Sequence, residues 1–199
     1  MAVEDAIILE AAVRLVLEQR VAEARAELRT LSVEDPMPHP VVDAKTAAAR
    51  PIARIPRPSV NRSLLATVLQ RDGWTCRYCG RKLVVAGVIE LIGTLCPIEF
   101  PFPPGHHMPV GRTQPAANRV YPNADHVHAG SLGGDWHDPA NLVAACTPCN
   151  ERKSDMLGWT AGANADGQWK GLTEYYRVLA ESTGTVRSYH AAWLRTLGL

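Results

Sequence analysis

An α+β fold is what this sequence predicts. It reads as a small strand–loop–strand–helix core stapled by four cysteines, with a long helix before it and two helices after it. Three observations carry this. Four of the five cysteines fall in two C-x-x-C pairs, Cys76/Cys79 and Cys146/Cys149. Strand, loop and helix signals follow one another through residues 124–157, with Gly133-Gly134 marking a loop and Pro148 suiting the first turn of a helix. An apolar stripe at steps of three and four marks the N-terminal segment.

The elements follow in order. Residues 4–31 read as one helix, with Leu9, Val13, Leu17, Val21, Ala24, Leu28 and Leu31 on one face and no Pro or Gly between them. That stripe either packs on the protein's own core or self-associates as a coiled coil, which would make it the contact of a homodimer. Residues 32–60 read as a linker, because six of the 15 prolines lie there and dense proline favours extended backbone. A core domain is expected over 61–157. It opens with a helix over roughly residues 62–71, capped by Asn61 or Ser63. Residues 83–124 read as an irregular insert with an apolar patch, Val84–Leu95. The region 158–199 is expected to close the fold with helices over 171–183 and 185–197. Trp159, Trp169, Tyr175, Tyr176 and Trp193 would supply their packing surface.

At 199 residues, 46% apolar and 21% charged, the chain is sized and composed as one globular domain, which excludes a fully disordered chain. No apolar run approaches 18 residues, so no membrane-spanning helix is expected. The N-terminus carries Glu4, Asp5 and Glu10 and no early cation, the opposite of a secretory signal, so a cytoplasmic location is expected. The net charge is only +1, but it is unevenly spread. Residues 1–49 hold five Lys/Arg and nine Asp/Glu, whereas residues 50–82 hold eight Lys/Arg and one acid, Asp72. A local excess of this kind can meet phosphates.

Paired C-x-x-C knuckles in a chain expected to be cytoplasmic point to a closed structural zinc site rather than to disulfides. The other reading is four inert core thiols. Cys96 is left over and is expected as a buried free thiol.

The densest run of chemistry is Asp125-His126-Val127-His128, Gly133-Gly134, Asn141-Leu142 and Cys146-Thr-Pro-Cys149-Asn150-Glu-Arg-Lys153, preceded by Cys76-Arg-Tyr-Cys79-Gly80. Taken together it closely resembles the H-N-H endonuclease family, whose pattern D-H…G-G…N-L…C-x-x-C-N-x-x-K is met through residues 70–155. The resemblance implies a ββα-metal core in which two antiparallel strands and a helix cradle one divalent cation. It implies that His126 is the general base and that Asp125 and Asn150 are ligands of a catalytic Mg²⁺ or Mn²⁺. Asn141 would hold the base-bearing loop, and Cys76, Cys79, Cys146 and Cys149 would hold a structural zinc. It also implies 5′-phosphate and 3′-hydroxyl products. One departure is the 45-residue gap between Cys79 and Asp125, which the insert over 83–124 accounts for.

These residue types suit that chemistry. An imidazole can take a proton from water near neutral pH. A hard cation held by oxygens can neutralise a phosphate and assist a leaving oxygen. Duplex DNA is the expected partner, with Arg50, Arg54, Arg57, Arg62, Arg71, Arg152 and Lys153 as candidate phosphate contacts. His128 would share a strand face with His126. His137 lies in the Gly-rich loop, and His106-His107 follow a Pro-rich turn. Two other readings stay open: a zinc-stapled nucleic-acid-binding module without cleavage, and a nuclease acting on RNA or as a toxin-like effector.

Overall fold

The computed structural model describes residues 4–33, 60–103, 112–165, 167–184 and 187–199. The N-terminal segment is not one helix but a hairpin of two, α1 (Asp5–Leu17) and α2 (Val21–Leu28). Gln19 takes a left-handed backbone, φ 64°, and Arg20 N–H donates to the Leu15 carbonyl at 2.8 Å, which closes α1 and reverses the chain. The expected stripe survives the break. Leu9, Val13, Ala24 and Leu28 are all fully buried. Leu9, Val13 and Leu28 each contribute about 1.5–3 kcal/mol on burial, and with Leu17 and Val21 half-buried most of the stripe is spent on the chain's own core. The long helix of the sequence reading is therefore corrected, and its apolar face is occupied within one chain.

Helix α3 (Arg62–Arg71) forms where its cap placed it, with the Asn61 side chain accepting from Leu64 N–H at 2.9 Å. The segment expected to be irregular contains two helices, α4 (Ala86–Leu95) and α5 (Pro115–Val120). Val88, Ile89 and Ile92 of α4 are fully buried, so the insert builds core rather than decorating it. Arg119 on α5 forks onto Asp5 at 2.6 Å and 3.0 Å, binding the insert to α1. Lys82 N–H donates to Glu4 Oε1 at 2.6 Å. These three bonds lock the N-terminal hairpin onto the rest.

Strands β1 (Pro122–His126) and β2 (Leu142–Cys146) pair antiparallel, with Asp125 opposite Val143 and His126 opposite Leu142. Helix α6 (Thr147–Lys153) follows directly, with Pro148 in its first turn. Helices α7 (Thr173–Ser182) and α8 (Ser188–Leu197) close the chain near their expected bounds, α7 against α4 and α8 against α3. Among the described residues no helix is long and apolar enough to cross a membrane. The architecture is α+β: helices around one small two-stranded sheet, with the four cysteines at its edge.

Candidate metal centre and adjoining cleft

The first knuckle is a tight turn between α3 and the insert. Gly80 N–H returns to the Cys76 carbonyl at 2.8 Å, and Gly80 carries a φ of 77° that favours glycine. Arg77 N–H donates to the Ala144 carbonyl at 2.8 Å, which seats the knuckle beside β2 and the second knuckle. The Sγ atoms of Cys76, Cys79, Cys146 and Cys149 all lie within 4.8 Å of one another, and Cys79 and Cys146 are 3.9 Å apart. Zinc–sulfur bonds of about 2.3 Å in a tetrahedron need sulfurs about 3.8 Å apart, so the donor set fits such an ion. Cys76, Cys146 and Cys149 are buried while Cys79 is exposed. Hydrogen bonding from Cys146, then Cys149, holds the Cys76 thiol far below its ordinary range, while bonds from Cys149, then Cys76, push Cys146 up, so the sulfurs share their protons unequally. Among the described residues these four form the one cluster of three or more His, Cys, Asp or Glu close enough to hold an ion. Cys96 is fully buried, and burial pushes its thiol up.

Asp72 anchors this staple. It is 2% exposed, takes both arms of Arg71 at 2.8 and 2.9 Å, lies 3.5 Å from Arg77 and accepts from Ala144 N–H at 2.8 Å. One carboxylate thus ties α3, the first knuckle and β2 together.

Beside the sheet lies a cleft of about 730 Å³ whose lining includes Asp125, His126, Trp136 and Asn150. His126 ends β1, and its Nε2 sits 3.1 Å from the Trp136 carbonyl, with the Trp136 ring edge-on at 5.0 Å. The loop that follows is pinned by Asn141. Its Oδ1 accepts from His128 N–H at 2.9 Å, and its Nδ2 donates to the carbonyls of His128 and Asp135 at 3.0 and 2.8 Å. Gly133 has a φ of 93°, and a Cβ on Gly134 would lie 1.9 Å from the His128 carbonyl oxygen, so both glycines are required by the turn. Asp125 is 6% exposed, and its Oδ2 accepts from Tyr78 Oη at 2.6 Å and faces Lys153 Nζ at 3.2 Å. Asp125 and Asn150 both line the cleft, and a carboxylate and an amide oxygen are donors of the kind a hard cation takes.

One candidate phosphate contact is corrected. Lys153 is fully buried, and its ammonium donates to the His126 carbonyl at 2.6 Å beside Asp125. Arg71, its side chain 42% exposed, spends four of its five N–H donors on Asp72 and on the carbonyls of Pro139 and Leu142, both at 2.6 Å. Arg62 is exposed and stacks its guanidinium over Trp193 and Tyr189, 5.6 and 5.9 Å from the ring centres. Arg152, also exposed, lies 6.0 Å over Trp159. Arg50, Arg54, Arg57 and His106-His107 lie outside the described residues. His128 is exposed and follows the end of β1 instead of sharing its face with His126. His137 is exposed. Tyr78, Asp72 and Trp136 were not legible as site residues. Tyr78 alone had a local cue, its place between two knuckle cysteines.

No protein-family model, no curated protein and no solved structure matches the chain.

Proposed function

We propose that this chain is a metal-dependent endonuclease of the H-N-H type that hydrolyses phosphodiester bonds of DNA. In this reading zinc fills the four-cysteine centre and Mg²⁺ or Mn²⁺ binds in the cleft. The observation that carries the reading is the convergence of Asp125, His126 and Asn150 on one cleft, with Asn141 pinning the loop beside it.

A backbone carbonyl can only accept, so the Trp136 oxygen calls for the proton on Nε2 of His126. Neutral His126 then keeps a free lone pair on Nδ1, the atom that takes a proton from the attacking water. Trp136 holds the ring from its edge, so the base is oriented before substrate arrives. Asp125 and Asn150 would hold the cation. When bound, the cation neutralises charge at the phosphate and assists the leaving 3′ oxygen. The cysteine centre has no open position and acts as a staple.

A second reading is a zinc-stapled nucleic-acid-binding module without cleavage. It is favoured by the burial of Asp125 and by the two donors already on its Oδ2. Incubation with supercoiled plasmid separates the two. The nuclease reading expects nicking in Mg²⁺ or Mn²⁺, arrest by EDTA, restoration by added cation without refolding, and 5′-phosphate ends. Binding without cleavage supports the module, and full cleavage in EDTA overturns the one-cation mechanism.

A further inference from the structure

The geometry points to Tyr78 as a positioning residue that holds one carboxylate oxygen of Asp125 from the first cysteine knuckle and so ties the four-cysteine centre to the cation site in the cleft. This inference rests on the proposed cation role of Asp125. Tyr78 sits between Cys76 and Cys79, and its backbone is therefore set by the knuckle. Its neighbour Arg77 bonds β2 through Ala144 on one side and Ala163 N–H on the other. The ring is held edge-on against Trp159, 5.4 Å between centres and 88° between planes. Its hydroxyl therefore has a fixed place, and at that place it donates to Asp125 Oδ2 at 2.6 Å.

A short bond from a neutral hydroxyl to a carboxylate is a strong, directional contact. A phenol hydroxyl carries one proton to donate, and at this place the carboxylate oxygen is its acceptor. Lys153 approaches the same oxygen at 3.2 Å. With Oδ2 taken from two sides, the carboxylate cannot turn, and its other oxygen is the one presented to a cation. Groups that orient a metal ligand in this way typically change metal affinity about 10–100-fold when removed.

The test is Mn²⁺ binding to the zinc-loaded protein, read from the EPR signal of free Mn²⁺, with no nucleic acid present. Tyr78→Phe keeps the ring and its contact with Trp159 and removes only the donor. The expected result is one Mn²⁺ site in the wild type, its loss in Asp125→Ala, and binding at least about 10-fold weaker in Tyr78→Phe with zinc content unchanged. Wild-type Mn²⁺ affinity in Tyr78→Phe overturns the role of Tyr78 and leaves the cation site standing. A Tyr78→Phe protein that has lost its zinc also overturns it, because the hydroxyl is then a structural bond of the knuckle. A wild-type protein without an Asp125-dependent Mn²⁺ site overturns both readings.

Discussion

Replacing Lys153 with methionine removes a buried ammonium while nearly conserving the volume of the side chain. In the fold that ammonium has no contact with solvent, donates to the His126 carbonyl at 2.6 Å and lies 3.2 Å from Asp125. Taking away one member of a buried pair leaves the other charge uncompensated, which costs about 3–5 kcal/mol. Methionine recovers some apolar burial, so the lower end, about 3 kcal/mol, is expected. For a chain of this size about 2–4 °C is lost per kcal/mol, so the midpoint should fall by about 6–12 °C. A solvated phosphate-contacting lysine would behave differently, because surface substitutions stay within about 0.5 kcal/mol. Thermal unfolding of zinc-loaded protein by circular dichroism reads the difference. A midpoint within about 2 °C of wild type, with uniformly weaker DNA binding, would refute the buried-pair argument. Asp125→Asn combined with Lys153→Met should cost less than the sum of the two, since each change removes the other's stranded partner.

Cys76→Ser or Cys149→Ser should abolish zinc retention and cooperative folding, because a structural zinc contributes about 10–16 kcal/mol of apparent binding energy; elemental analysis of the wild type should find one equivalent, and a zinc-free, fully folded wild type would contradict this. His190 is 3% exposed, with Nδ1 2.9 Å from the Tyr176 hydroxyl and Nε2 3.9 Å from Glu90. Burial, then Arg187, lowers its pKa. Between that lowered value and about 6.5, the unfolded chain binds the extra proton, so this contribution to stability falls as pH drops below about 6.5. Glu90, raised by burial, acts in the opposite sense and is shared by wild type and variant. His190→Gln should therefore lose less midpoint temperature than wild type between about pH 7.5 and 5.5, and equal losses would remove His190 as the cause.

Local chemistry was the legible part of this chain. Asn61 capped α3 as its side chain implied, and the knuckle spacing brought four sulfurs together. The break between α1 and α2 was not legible, because Gln19 adopts its left-handed backbone with no glycine or proline to mark the turn. Helix α4 was hidden for a different reason. Seven of its ten residues are buried, so its sequence shows an apolar patch without helical alternation. Gly87 is there for space, since a Cβ would stand 2.1 Å from the Tyr176 hydroxyl. The residues that orient the site act across long separations. Tyr78 meets Asp125 47 positions away, and Asp72 meets Ala144 72 positions away. No window of sequence contains either pair. Lys153 was misplaced by the same limit: its charge suggested solvent, and only the fold reveals Asp125 and the His126 carbonyl above it.

The proposed nuclease function rests on His126 as the general base in the cleft. Its most direct test is plasmid nicking by His126→Ala beside wild type, at equal zinc content and with saturating Mg²⁺ or Mn²⁺. The expected result is cation-dependent nicking by wild type, a fall of at least about 100-fold in the variant, and DNA binding and melting midpoint close to wild type. Cleavage by His126→Ala at a near wild-type rate, or no cation-dependent cleavage by the wild type, would contradict it.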